Sequence, residues 1–253
     1  MTAPDLQAAA DALAIGVSII DRAVSHAAAL PDADEHQSLL YDLAHAASAI
    51  EISRSLLDYG AKGENEGKLA CAFIADVLAD LHSKLFGRET AWGAKNGELD
   101  PAREFIRLFR DPQFVAQLAL LEAPRHLDED FEMVADTFRR FANDKIAPQA
   151  EHIHRQDTDI PEDIIDGLAE LGCFGLSVPE EYGGFATGSE SDYMGMVIAT
   201  EELSRASLGA GGSLITRPEI LTRALERGGT EEQKREWFPK IATGETMVAV
   251  AVT

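Results

Sequence analysis

Three places in this sequence bring together residues that could do chemistry. His152-x-His154 could give two imidazoles to a metal. The adjacent Glu201 and Glu202 could take or hold a proton, and Gly209-Ala210-Gly211-Gly212 could let a backbone approach a phosphate. None of the three closes into a site by spacing. On a helix, positions i and i+2 point to different faces, and no Cys or carboxylate arrangement completes a zinc set, so no metal residue is assigned. The glycines do not follow a predicted strand, which a dinucleotide loop requires, and a turn between helices accounts for them better. Glu201 and Glu202 fall on a predicted helix as solvated or capping carboxylates. Neither a Gly-x-Ser-x-Gly elbow nor a Walker sequence is present.

Charge narrows the classes further. The 253 residues have a formal net charge of −22, with 19 acids against 11 bases in residues 1–125 and 25 against 11 in the rest. Such an excess repels a nucleic-acid backbone, so DNA and RNA binding are not expected. Cys71 and Cys173 are the only cysteines, with no Cys-x-x-Cys pair and no disulfide framework, which fits a reducing compartment and two small buried hydrophobes. No apolar run reaches the length of a membrane span. The first residues lack a basic region followed by an apolar stretch, so the cytoplasm is the expected location.

The elements that must position any site read as almost all helix. Ala8, Leu13, Val17, Ile20 and Val24 recur at helical spacing. Leu39, Leu43, Ala46, Ile50 and Leu57 follow, with Gly60 as a stop, then Leu69, Phe73, Ile74, Val77, Leu78, Leu81 and Leu85, closing at Gly87. After a turn-rich stretch from Trp92 to Pro101, Phe105 to Leu121 reads as a helix broken at Asp111-Pro112. Short links predict an antiparallel bundle over residues 1–125. A boundary is expected at Ala123-Pro124-Arg125.

Beyond it, Phe131, Val134, Phe138, Phe141 and Ile146 line one helical face, with Pro148 expected to disrupt the end. A helix follows Pro161 and stops at Gly172. Residues 174–179 read as extended, and Glu180–Gly184 as a loop. Helices are predicted over Tyr193–Ser204 and Ser213–Arg227. Thr230, with Gln233 three residues later, makes a capping box for one more. After Gly244 the run Met247, Val248, Val250, Val252 is the one convincing strand. A lone strand would leave an unpaired edge, so the sequence is expected to be a fragment or to be paired by something else.

Several motifs in the second half occur in a telling order. Leu171-Gly172-Cys173-Phe174-Gly175-Leu176 runs into Val178-Pro179-Glu180-Glu181-Tyr182-Gly183-Gly184. Then come Glu201-Glu202-Leu203-Ser204-Arg205, Gly229-Thr230-Glu231-Glu232-Gln233-Lys234, Trp237 to Glu245, and Val250-Ala251-Val252-Thr253. In this order and spacing, residues 127–253 resemble the amino-terminal helical domain of acyl-CoA dehydrogenases and the opening of that family's flavin strand. With its long prefix and the run Ile215-Thr216-Arg217-Pro218-Glu219-Ile220, the chain looks most like the branch that acts on methylsuccinyl-CoA.

The resemblance implies a mainly α fold. A helical bundle over 1–125 precedes the all-helical amino-terminal domain over 126–245, and residues 246–253 begin a middle β-domain that is missing. It implies FAD as cofactor and an acyl-CoA thioester as substrate, oxidised to the 2,3-enoyl-CoA. Electron-transfer flavoprotein would be the acceptor, and a homo-oligomer the assembled form. Val250, Ala251, Val252 and Thr253 would contact the flavin. Gly211, Leu214, Ile215 and Arg217 would belong to the acyl pocket. Gly211 stands where a relative acting on a dicarboxylic acyl-CoA carries an Arg, and Arg217, about two turns on, could supply that guanidinium. The family's catalytic Glu would lie beyond residue 253, so no catalytic residue is assigned here and the chain alone is expected to be inactive. Two alternatives stay open: a non-catalytic helical interaction protein, and a flavin-dependent acyl-CoA oxidase relative.

Overall fold

The computed structural model describes residues 2–121, 125–249 and 251, and the backbone but not the side chain of Glu190. The chain divides into two compact units, Met1–Arg125 and His126–Thr253. Both are helical, as the periodicity predicts. Among the described residues no helix is long and apolar enough to cross a membrane.

The first unit holds α1 (Leu6–Ala28), α2 (Gln37–Gly60), α3 (Glu64–Leu85), α4 (Arg103–Phe109) and α5 (Pro112–Leu118). The face that α1 buries is rotated from the expected stripe. Val24 is exposed, while Ala9, Ala12, Gly16 and Ala23 are buried beside Leu13 and Ile20. Small side chains win that face because they allow close approach. A Cβ on Gly16 would lie 2.8 Å from Ile50 and 2.9 Å from Leu78. The core is completed by Leu43 and Ile50 of α2, by Ile74, Leu78 and Leu81 of α3, and by Trp92, Phe105, Phe109 and Phe114. Each such fully buried side chain contributes about 1.5–3 kcal/mol relative to exposure. The break before α5 is built from Asp111, whose carboxylate accepts from the N–H groups of Gln113 at 3.0 Å and Phe114 at 3.1 Å.

The second unit holds α6 (Glu129–Phe141), α7 (Ala147–Gln156), α8 (Glu162–Glu170), α9 (Glu190–Ala206), α10 (Ser213–Gly228) and α11 (Glu231–Ala242). Two expectations are corrected here. Pro148 does not end a helix, because a π turn over Ala142–Ile146 joins α6 to α7 and Pro148 sits in the first turn of α7. The widened turn takes up the offset that a proline imposes in a regular helix. The run 174–179 is not a simple extended segment either. Cys173–Gly175 forms a 3-10 turn, and only Pro179 pairs, in an isolated bridge with Ala186.

The core of this unit is Phe138, Ala142, Ile146, Ile164, Leu168, Phe174, Ala199, Leu203, Leu214 and Ile215. The capping box of α11 forms as predicted, with Thr230 N–H donating to Gln233 at 2.9 Å and Gln233 N–H to the Thr230 hydroxyl at 3.3 Å. The residues of the expected strand that can be described, Met247–Ala249 and Ala251, form no ladder with any described residue. A strand needs a neighbour to pair its backbone, and none of the described residues takes that place.

Candidate functional site

The site begins where α9 ends. Leu203 and Ala199 bury the inner stripe of α9 against α6, and Glu202 lies beside them with only 2% of its surface exposed. Its carboxylate is not solvated, which corrects the expectation of a solvated or capping acid for Glu202, while Glu201 is exposed. Arg139 of α6 grips it with two hydrogen bonds, at 2.7 and 3.1 Å. The forked guanidinium matches both carboxylate oxygens, so the pair fixes orientation as well as distance. Arg205 also donates to Glu202, at 3.4 Å, and to the Asn143 side-chain oxygen at 2.8 Å. Asn143 lies in the first π turn. Local periodicity contains a trace of this arrangement, since Glu202 falls three residues after buried Ala199. Nothing local points to Arg139, 63 positions away.

A second π turn, Leu208–Gly212, connects α9 to α10. Ser207 starts it, its hydroxyl accepting from the Ala210 N–H at 3.1 Å and its carbonyl from Gly211 at 3.1 Å. The glycines serve close packing and not phosphate approach. A Cβ on Gly211 would meet Ile146 and the Leu203 carbonyl oxygen at 3.0 Å, and one on Gly212 would meet the Ser204 hydroxyl at 1.9 Å. The turn is therefore seated on α9 and on the first π turn.

The residues expected to form the acyl pocket occupy three settings. Gly211 is buried in the turn. Leu214 and Ile215 are buried in the unit's core. Arg217 is exposed on α10 and makes no side-chain hydrogen bond or ion pair among the described residues. In so acidic a chain, a guanidinium that pairs with no carboxylate is open to an incoming anion.

The exit from α11 is also built. Gly244 has φ +76°, and a Cβ there would stand 2.7 Å from the ring of Phe174. Thr246 N–H donates to the Lys240 carbonyl at 3.1 Å, and Met247 and Ala249 beyond it are exposed. Of the four residues expected at the flavin, Ala251 is exposed, and Val250, Val252 and Thr253 lie outside the described residues. The backbone groups of Met247–Ala249 have no partner among the described residues.

The Pro179–Gly184 loop is held to α11 by Tyr182, whose ring lies 5.0 Å from that of Phe238. Gly184 packs on Val178, where a Cβ would come within 2.0 Å of the carbonyl oxygen. Beside this loop is a polar cavity of about 340 Å³, lined in part by Asp192, Tyr193, Arg223 and Glu226. Arg223 stacks over Tyr193 at 5.0 Å and bonds to Glu226 at 2.9 Å. Burial pushes the Asp192 carboxyl up, but hydrogen bonds from Thr187, Gly188 and Ser189 outweigh it and hold the group below its ordinary value. Arg223 and Glu226 thus pair with each other, Asp192 is held by neutral donors, and the buried Nε of Arg223 has no hydrogen-bond partner among the described residues. His152 and His154 are both exposed, and no metal-holding group of three ligand residues occurs among the described residues.

Known proteins share the sequence behind this geometry. The family "Acyl-CoA dehydrogenase, N-terminal domain" matches residues 128–245. The (2S)-methylsuccinyl-CoA dehydrogenase of Cereibacter sphaeroides is 36% identical over 87% of this chain and 43% of its own length. That alignment reaches well into the first unit. A mitochondrial isovaleryl-CoA dehydrogenase of Solanum tuberosum is 34% identical over 58% of this chain and 34% of its own. An acyl-CoA dehydrogenase of Bacillus subtilis is 32% identical over 51% and 32%. The chain spans less than half the length of these relatives.

Proposed function

We propose, from the premise that residues 128–245 belong to the acyl-CoA dehydrogenase amino-terminal domain family, that this chain is the amino-terminal part of a flavin-dependent acyl-CoA dehydrogenase. The reaction is oxidation of an acyl-CoA thioester to the 2,3-enoyl-CoA, and methylsuccinyl-CoA is the substrate that the similarity to the Cereibacter sphaeroides enzyme favours. FAD supplies the acceptor for the hydride. The carboxylate that takes the α-proton belongs to a part of the protein outside these 253 residues, so the chain alone does not turn over substrate.

The contribution of this chain is alignment and exclusion of water. Val250, Ala251, Val252 and Thr253 run along the flavin and offer backbone and hydroxyl hydrogen bonds. Gly211, Leu214 and Ile215 form the packed wall behind the acyl pocket. Arg217 meets the distal carboxylate of a dicarboxylic acyl group through its planar fork. Electron-transfer flavoprotein takes the electrons onward, and the complete enzyme is a homo-oligomer. The observation that carries this reading is the ordered set of family motifs on one compact unit.

The test is spectroscopic. The protein is purified as its gene encodes it, and its visible absorption is recorded before and after addition of methylsuccinyl-CoA. A flavin band that bleaches is the expected result. Bleaching only with other acyl-CoA thioesters would remove the substrate and keep the reaction. A colourless protein that takes up no added FAD would overturn the proposal.

A further inference from the structure

The second unit spends a buried charge on a place where packing alone would hold two helices together. Glu202 sits among Ala199, Leu203 and Phe138, positions that an apolar side chain would fill without desolvation cost. The Arg139 and Arg205 side chains keep 40% and 49% of their surface exposed, so only the carboxylate is fully withdrawn from water, and such a pair seldom adds net stability over apolar residues of similar volume. Its directional bonds can instead select one arrangement among several that apolar surfaces would accept. Here the bonds run in series. Arg139 of α6 donates to Glu202 of α9 at 2.7 and 3.1 Å, Arg205 donates to Glu202 at 3.4 Å, and Arg205 donates to Asn143 of the first π turn at 2.8 Å. Arg139 also bonds Asp136 at 3.1 Å, which holds its fork on α6.

This series ends at Asn143 in the first π turn, against which the second turn packs through Ile146 and Gly211. The seat of Leu208–Gly212 is bounded by Ile146 and the Leu203 carbonyl, each 3.0 Å from a Cβ on Gly211, and by the Ser204 hydroxyl, 1.9 Å from a Cβ on Gly212. Apolar contact between α6 and α9 tolerates small sliding. The turn seated on them does not.

We infer that Glu202 is a positioning residue: through Arg139 and through Arg205–Asn143 it fixes the register of α9 on α6, and so sets the seat of the Leu208–Gly212 turn and the start of the helix that presents Arg217. The consequence for acyl binding rests on the proposed dehydrogenase function. The lock itself does not.

Amide hydrogen exchange on the 253-residue chain decides it, with Glu202→Gln and the double variant Arg139→Met/Glu202→Met. The double variant restores apolar packing and guards against a Glu202→Gln chain that fails to fold. Its melting temperature is expected to stay close to that of the parent. Exchange at Leu208–Arg217 is expected to accelerate about tenfold or more while α8 and α11 keep their protection. Unchanged exchange across Leu208–Arg217 in the double variant would overturn the inference. So would acceleration spread evenly over the unit with a lowered melting temperature, since that is what loss of ordinary stability produces. A protein that proves not to be a dehydrogenase leaves these exchange rates as they are, so the two ideas fail separately.

Discussion

The terminal methyl of Ile146 lies 3.0 Å from the point where a Cβ on Gly211 would stand. The two residues belong to different π turns, and their contact closes the interior side of Gly211. An Arg in this backbone would have to displace Ile146 or the Leu203 carbonyl. Gly211→Ala is expected to destabilise the chain by about 1–3 kcal/mol, the usual cost of overpacking. Gly211→Arg should cost more and give no gain in binding a dicarboxylic acyl group. Thermal melts of both variants check this, and a Gly211→Arg chain as stable as the parent would contradict it.

Under the proposed function, Arg217 is the cation that meets the distal carboxylate of the acyl group. It is exposed and bonds to no side chain among the described residues, so Arg217→Gln should change the stability of this chain by less than about 0.5 kcal/mol. In the complete enzyme the same change should raise KM for methylsuccinyl-CoA by about tenfold or more, the loss of one charge-assisted pair. A thioester without a distal carboxylate should be handled as before. Equal effects on both substrates would remove Arg217 from carboxylate recognition.

Gly184 and Gly188 make a matched pair in one loop. A Cβ on Gly184 would stand 2.0 Å from the Val178 carbonyl oxygen, which is backbone and cannot yield, whereas Gly188 has φ +81° and open space around it. Gly184→Ala should therefore cost about 3 kcal/mol or more, and Gly188→Ala about 1 kcal/mol from backbone strain alone. Denaturant unfolding of both variants gives the comparison. Equal losses would show that the loop is not packed on Val178 as described.

Cys173 is buried beside Phe174, and desolvation pushes its thiol up from 9.0 to about 12. Burial also pushes Cys71 up. A folded-state pKa raised above the unfolded one gives stability that is fully present below pH 9 and is lost as pH rises toward about 12. The chain should thus weaken over that window as the thiol ionises. At pH 8 both thiols should resist iodoacetamide in the native chain and react rapidly in denaturant. Rapid native labelling of Cys173 would contradict its burial.

Much of the fold is legible in the sequence because its signals are local. The stripes of α2 and α3, the break at Asp111-Pro112, the stop at Gly172 and the Thr230–Gln233 box each depend on residues within a few positions of one another. Pro148 misleads because a proline looks the same whether a helix stops or widens into a π turn. The face of α1 misleads because Val17 and Val24 outweigh alanines in hydrophobicity, while packing against Ile50 and Leu78 favours the smaller side. In the site, Gly209–Gly212 is legible as a turn but not as a π turn seated on Ile146 and Ser204.

The sequence alone determined the helical class, the acidic surface and the ordered motifs of the second half, since each is a matter of composition, period or short spacing. Tertiary structure decided which carboxylate is buried and which arginine is open. Glu202 and Arg139 stand 63 residues apart, and Arg217 and Arg205 carry the same charge on neighbouring helices. Only the crossing of α6 on α9 brings the Arg139 guanidinium to the carboxylate that Arg205 already reaches from its own helix, while Arg217 stays exposed. Pairing energy depends on distance and desolvation, and neither is a property of sequence position.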